Sequence, residues 1–323
     1  MSRLDEIVKN LARGVRRHPK TLLTWFDDAG AVRFDRGYIL VKVDGFAVSR
    51  ALYPWCGLGD FGFRGVTAAV SDVVAKGCSP YLYAVSIGVT PDQVDRVEEI
   101  VRGVESAVRL YGGYVENMDT NVGSDGWVDV FVLAECRNTP LSRTVRPADI
   151  LLLPRRVGLS AIAFIDFVRG RTPLTDEVRA FSCRPEADLR LARFLVEDRS
   201  CVAGSIDVSD TLLESLQQIS EVSGTGVYMT GAPSDLLHQQ ALAYAHSEGV
   251  DPLHMLLGSN EEYVPIMAIR PWCVDEVCER LEALHLEPRV LGTVTGVGGV
   301  TWRGVKVPSI VWDYVAGRVT ITQ

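Results

Sequence analysis

The stretch Thr67-Ala-Ala-Val-Ser-Asp-Val-Val-Ala-Lys-Gly-Cys-Ser-Pro-Tyr-Leu-Tyr-Ala-Val-Ser-Ile-Gly-Val89 reads as a helix of small apolar residues, a stop at Gly77, and a strand rich in Val, Ile and Tyr. A helix feeding a strand is one unit of an α/β layer, and the flanking sequence extends it. Tyr38-Ile-Leu-Val-Lys-Val-Asp44 and Trp127-Val-Asp-Val-Phe-Val-Leu-Ala-Glu135 read as further strands. Residues 62–76 are helical after a Gly-rich turn, and 92–111 set Val94, Val97, Ile100, Val101 and Val104 on one helical face. After Arg146-Pro-Ala-Asp149 a second series begins, with a strand at 150–153, helices near 159–169, 186–197 and 209–223, and strands near 263–270, 288–295 and 299–302. The expectation is an α/β (α+β) chain of two domains, 1–148 and 149–323.

Composition narrows the function. The chain has 323 residues, a formal net charge of −8 and 47% apolar residues, enough for a buried core without help from metal or disulfides. Its arginines are interspersed with acids, so no basic stripe offers itself to a nucleic-acid backbone. The longest apolar runs, such as Ile150-Leu-Leu-Leu153, are far short of a membrane span. Ser2-Arg-Leu-Asp-Glu-Ile-Val-Lys9 looks like the start of an amphipathic helix with no signal core, so a cytoplasmic location is expected. The seven cysteines form no Cys-x-x-Cys pair and read as buried free thiols; the five histidines form no His-x-x-x-His pair, and zinc is set aside.

Two phosphate-binding signatures fail on inspection. Gly57-Leu-Gly-Asp-Phe-Gly62 fits Gly-x-Gly-x-x-Gly, but Leu52-Tyr-Pro-Trp-Cys56 before it is not a strand. The best P-loop candidate starts at Gly14 and has Pro19 where glycine is required. Any grip on phosphate must then come from carboxylate-held metal, arginines and helix N-termini. The acids are suggestive: Asp28 precedes a turn into a strand, Asp44 ends a strand, Asp72 sits inside an apolar helix, and Asp119 and the Asp207-Val-Ser-Asp210 turn lie near apolar segments. Taken singly, each is a cap or a surface acid. Jointly they supply the all-oxygen ligands that Mg²⁺ carrying a nucleotide triphosphate prefers.

Five short segments carry a resemblance: Phe26-Asp-Asp-Ala-Gly-Ala-Val32, Ser71-Asp-Val-Val-Ala-Lys-Gly-Cys-Ser-Pro80, Met118-Asp-Thr-Asn121, Ser205-Ile-Asp-Val-Ser-Asp-Thr-Leu-Leu213 and Asn260-Glu-Glu-Tyr263. In this order they resemble the superfamily of aminoimidazole ribonucleotide synthetase and thiamine-monophosphate kinase, the kinase branch best. The resemblance implies two α/β domains, a homodimer that pairs its amino-terminal sheets, and ATP as co-substrate with Mg²⁺. It implies Asp28, Asp44, Asp72, Asp119, Asp207 and Asp210 as metal ligands, and Thr120, Arg146 and Ser209 as nucleotide contacts. Glu261 and Trp312 fall where the kinases hold the thiamine moiety, and no catalytic residue beyond the metal ligands is implied. The implied activity is transfer of a phosphoryl group from ATP to a small phosphorylated acceptor, thiamine phosphate in the kinases.

Departures from the family pattern accompany the matches. Phe26 and Asn117-Met118 stand where the kinases carry glycines, and Lys42-Val43 replaces Thr-Thr before Asp44. Lys42 shares a strand face with Asp44 and so either replaces a metal or points to solvent. Two alternatives stay open: ATP-dependent activation of a carbonyl or amide oxygen, as in the synthetase branch, and a degenerate, non-catalytic dimer that binds nucleotide.

Overall fold

The computed structural model describes residues 11, 15–24, 27–35, 37–197, 199–307, 309–313 and 318–322, side chains from 309 onward excepted. The segment 2–9, read above as a helix start, and Phe26 lie outside the described residues.

Two sheets organise the chain. β1 (Gly30–Phe34), β2 (Gly37–Ala47), β3 (Ser79–Val89), β4 (Tyr114–Val122) and β5 (Trp127–Cys136) form the first, in the order β1-β2-β5-β3-β4. Its neighbours run antiparallel except β3 and β4, which are parallel. The second sheet contains β6 (Ile150–Leu153), β7 (Val202–Asp207), β8 (Gly226–Met229), β9 (Pro265–Ile269), β10 (Arg289–Thr295), β11 (Gly299–Trp302) and β12 (Val305–Lys306), in the order β12-β11-β8-β10-β6-β9-β7. A hairpin of β13 (Ser309–Asp313) and β14 (Arg318–Thr322) follows. The expected α/β (α+β) architecture is borne out. β4 was not foreseen, because Tyr114-Val-Glu-Asn-Met-Asp-Thr-Asn-Val122 is an exposed edge strand with no apolar alternation to betray it.

The helix Leu58–Ala75 lies between the two sheets. It packs on β2 and β5 on one side and on β7, β9 and the helix Leu189–Glu197 on the other, and every residue from Phe61 to Ala75 is buried. A helix covered on all sides must be apolar all round, which accounts for its composition. The Gly-x-Gly-x-x-Gly match finds its use here. A Cβ on Gly62 would stand 2.3 Å from the Ile100 carbonyl oxygen, and one on Gly103 would stand 1.8 Å from that of Gly59. The glycines let the helices Leu58–Ala75 and Val97–Tyr111 cross backbone to backbone. One apolar core runs from this layer into the second half, through Leu152, Leu191, Leu195, Met267 and Ile269.

The free-thiol expectation is corrected. Cys56–Cys183, Cys78–Cys136 and Cys201–Cys273 are disulfides, and among the described residues Cys278 remains free. Their separations of 127, 58 and 72 residues carry no spacing signature; only the tertiary fold brings the partners together. Closing loops of that length stabilises by about 4 kcal/mol each on a chain-entropy argument. Cys78→Ala/Cys136→Ala is expected to lose most of that in chemical denaturation, and non-reducing peptide mapping should recover all three pairs. Identical denaturation curves with and without reductant would show that the bridges do not form.

Candidate active site

The segment before the first sheet, the central helix and the end of β7 bring acids together. Asp28 lies just before β1, Asp72 on the central helix and Asp207 at the end of β7; each offers an oxygen within 4.8 Å of the other two, and all three residues are buried. Strand alternation sets Lys42 and Asp44 on the face of β2 that also carries buried Leu40, pointing toward the helix. The Lys42 ammonium then bridges Asp44 at 3.2 Å and Asp72 at 2.7 Å. A second lysine, Lys76, has no exposed side-chain surface and reaches Asp27 at 2.6 Å, Asp28 at 2.7 Å and the Ser205 carbonyl at 2.9 Å. Arg143 donates to the other oxygen of Asp28, and Ser71 donates to Asp207 at 3.0 Å.

Electrostatics sort these carboxylates. Burial pushes Asp28 upward, but the charges of Lys76 and Arg143 outweigh it and hold the group below its ordinary value. Burial and then the charge of Asp207 drive Asp72 well above the carboxylate range, with Lys42 opposing. Burial, followed by repulsion from Asp28, pushes Asp207 up to about 7, eased by Lys42 and Ser71. Lys42 is raised: burial disfavours its charge, but Asp72 and Asp44 more than restore it. At Asp72 and Asp207, burial and repulsion from neighbouring acids thus outweigh the nearby cations. An all-oxygen donor set of this kind fits a hard divalent cation.

Beside the cluster, between the two halves of the chain, lies a cleft of about 880 Å³. Lys42, Asp44, Ser209 and Asp210 line it near the cluster; Phe46, Tyr53, Phe167, Arg64 and Glu261 line it further along. Arg64 and Asp72 are eight residues apart on one helix, about 12 Å, with Ala68 on the same stripe. Arg64 is buried, lies 3.7 Å from Glu261, and stacks over the rings of Phe46 and Tyr53. Burial raises Glu261, Arg64 opposes the rise, and Asp210 adds to it.

The motif Asn260-Glu-Glu-Tyr263 divides its two acids. Glu262 turns into the second half, where it accepts from the Gly158 N–H at 2.6 Å, the Ser160 hydroxyl at 2.7 Å and Arg155 at 3.1 Å. Glu261 lines the cleft with φ +46°, a left-handed backbone that costs a non-glycine residue of order 1 kcal/mol, and its N–H is tied to the Ser209 carbonyl at 2.6 Å.

Not every residue singled out from the sequence arrives here. Asp119 pairs with Ser86 across β3–β4, and Ser86 with Asp129 of β5. That row ends at Gly45 of β2 and lies on the sheet face opposite Asp44. Thr120 points the other way but stays on the exposed edge, three strands or about 14 Å from β2. Arg146 is exposed in the segment joining the sheets, where its N–H is held by Asp149 at 2.8 Å. Three residues earlier, Arg143 is the arginine that reaches the cluster. Trp312 pairs with Val319 in the β13–β14 hairpin, and its side chain lies outside the described residues. Arg64, Lys76, Arg143 and Tyr53 escaped the sequence reading. Arg64 was legible on the logic applied to Asp72, a charge inside an otherwise apolar helix.

Comparison with known proteins gives the geometry a context. Residues 26–136 match the family described as AIR synthase related protein, N-terminal domain. A thiamine-monophosphate kinase from Pyrobaculum calidifontis is 28% identical over 92% of this chain and 96% of its own length. A thiamine-monophosphate kinase from Pyrococcus abyssi is 24% identical over 99% and 98%. Among solved structures, tt0281 from Thermus thermophilus superposes with a TM-score of 0.85 at 29% identity, covering 94% of this chain and 98% of that one. AaThiL complexed with AMPPCP and TMP superposes with a TM-score of 0.78 at 20% identity over 94% and 93%, which is a likeness of fold.

The elevated Asp207 makes a stability prediction. A buried acid whose folded value exceeds its unfolded value stabilises fully below the unfolded value near 4 and loses that contribution as pH rises through about 7. In chelator-treated protein the melting temperature is therefore expected to fall between pH 5 and 8, and Asp207→Asn should flatten that fall in a thermal scan. An unchanged slope in the variant would remove Asp207 as the titrating group.

Proposed function

We propose that this chain, a thiamine-monophosphate kinase-like member of the aminoimidazole ribonucleotide synthetase superfamily, is an ATP-dependent kinase that transfers a phosphoryl group to thiamine phosphate. One observation carries the reading: a buried carboxylate cluster stands at one end of a cleft whose other end is aromatic and holds an acid and an arginine. Phosphoryl transfer asks chiefly for positioning and charge neutralisation, and needs no covalent nucleophile from the protein.

In this reading Asp28, Asp72 and Asp207, with Asp44 and Asp210 at the cleft wall, would hold Mg²⁺. Bound there, the ion would neutralise charge on the transferring phosphates. Ser209 lies beside Asp210 and faces the nucleotide. Glu261 balances a cationic or amino-substituted ring held against Tyr53 and Phe167. The Arg64 Nε is buried without a hydrogen-bond partner and is the donor available to an anionic arm of the acceptor.

The nucleotide roles of Asp119, Thr120 and Arg146, and of Trp312 for the acceptor, rest on kinship. For Asp119 and Thr120 the single chain offers no route to the cluster, so their assignment depends on a homodimer paired through the first sheet. Exposed Val43 and Phe131 on the outer face of that sheet, and Tyr114 and Val122 on its edge strand, favour such pairing. Residues 1–148 and 149–323 serve as nucleotide-and-pairing and carboxy-terminal domains. We place the protein in the cytoplasm; no described helix is long and apolar enough to cross a membrane. Three disulfides suit a cell interior of the kind found in hyperthermophiles.

A second reading has one observation in its favour. Clustered acids demand a cation, but Lys42, Lys76 and Arg143 already supply part of it. A non-catalytic nucleotide-binding dimer would keep such internal pairing.

Labelled γ-phosphate transfer from ATP to thiamine monophosphate, with and without Mg²⁺, separates the two. Metal-dependent formation of thiamine diphosphate is expected. Asp72→Asn should lower kcat by about 100-fold or more, as loss of charge stabilisation at a transferring phosphate does. Glu261→Gln should chiefly raise the KM for the acceptor, by roughly tenfold. ATP binding without transfer to any phosphorylated acceptor would favour the second reading, and full activity of Asp72→Asn would sink the site assignment.

A further inference from the structure

The seat between Asp44 and Asp72 already contains a cation. Lys42 leaves β2 on the face shared with Asp44, and its ammonium lies 3.2 Å from that carboxylate and 2.7 Å from Asp72 on the central helix. Both contacts are at ion-pair distance, so the Lys42 Nζ stands where an ion shared by the two carboxylates would stand. The rest of the cluster is paired unevenly. Lys76 bridges Asp27 and Asp28, and Arg143 covers Asp28 from the other side. Asp207 receives a hydroxyl donor, Ser71, on one oxygen and no ion-paired cation among the described residues. Five carboxylates, Asp27, Asp28, Asp44, Asp72 and Asp207, face the three cations Lys42, Lys76 and Arg143, so the acids outnumber the cations by two. Among the described residues one group of three acids, Asp28, Asp72 and Asp207, brings its oxygens within 4.8 Å of one another.

We propose that the Lys42 ammonium is a built-in replacement for a divalent cation between Asp44 and Asp72, leaving the nucleotide-free protein one divalent-ion seat, among Asp28, Asp72 and Asp207. The inference rests on the metal site assigned above and adds to it the number of ions and the residue that sets that number. Lys42 is a positioning residue: it holds Asp44 and Asp72 in place at the head of the cleft at any metal concentration. A fixed ammonium cannot leave with the product, so that part of the site stays assembled between turnovers. It also cannot bring waters or accept oxygen ligands from a phosphate, as a divalent ion would. Removing Lys42 deletes one positive charge and opens the seat between Asp44 and Asp72, which favours a second ion there.

Counting Mn²⁺ on the nucleotide-free full chain, by calorimetry and by electron paramagnetic resonance of free ion, tests the proposal. The wild-type protein is expected to bind one Mn²⁺ per chain. Lys42→Ser and Lys42→Gln should each bind two, or bind the first roughly tenfold more tightly as an adjacent positive charge is lost. Lys42→Arg, which keeps the charge, should restore the count of one. The melting temperature of Lys42→Gln without metal should fall below that of the wild type and rise more steeply with added Mn²⁺. Two ions on the wild-type chain, or an unchanged count and affinity in both neutral variants, would overturn the role of Lys42 while leaving the metal site standing. No Mn²⁺ on any of the four proteins would overturn both.

Discussion

A lysine with no solvent exposure, held by two carboxylates and a carbonyl, is the point on which the two halves of this chain depend. Lys76 ends the central helix; Asp27 and Asp28 come from the segment before β1, and the Ser205 carbonyl comes from β7 of the second sheet. Nearby, Ser205 donates to the Ala75 carbonyl and Ser71 to Asp207. The joint between the sheets and the candidate metal site are therefore one structure. Burying such charges is expensive, and truncating one partner leaves the others unpaired at a cost of about 3–5 kcal/mol. Only five lysines occur in the whole chain, and two of them are in this cluster.

The central helix converts that joint into a ruler. It is buried on every side, so a charged residue on it must face either a partner or a cleft. Asp72 faces the cations and acids at one end; Arg64, two turns earlier, faces Glu261 and two aromatic rings at the other. The rise per residue fixes their separation, and the close crossing at Gly59, Gly62 and Gly103 fixes the helix against its neighbour. Neither end can drift relative to the other without breaking packing on both faces. Under the proposed function, a fixed separation of this kind would hold a phosphate at the acids and an acceptor at Arg64 in the register an in-line transfer needs.

The apolar periodicities of β2, β3, β5 and β6 and of the buried helices were legible because burial on a regular element leaves a period in the sequence. The acids were legible for a related reason: Asp72 breaks an apolar helix, Asp44 ends an apolar strand, and Asp207 lies near an apolar segment. What was hidden depends on tertiary approach. The three disulfides join residues 58 to 127 positions apart. β4 is polar because it is an edge, and with it the placement of Asp119 and Thr120 was lost. Arg143 looked like any arginine in a loop, while Arg146, chosen by likeness, stays exposed. The use of the Gly-x-Gly-x-x-Gly match in helix crossing needed the partner helix to be seen.

The internal cations also change what the retained acids mean. A cluster of unpaired carboxylates would by itself require metal, and retention of the acids would then argue strongly for catalysis. Lys42, Lys76 and Arg143 weaken that inference, because they let the fold tolerate most of the cluster without any ion. What still requires an explanation is the remainder: Asp72 and Asp207 are buried beside each other and both are pushed toward protonation. A chain that needed the acids only to join its halves would gain stability from a neutral side chain at either position, since burial and mutual repulsion there are uncompensated cost. Keeping two such acids at the head of the cleft, with Asp72 on the same helix as Arg64, makes sense when a divalent ion supplies the missing positive charge.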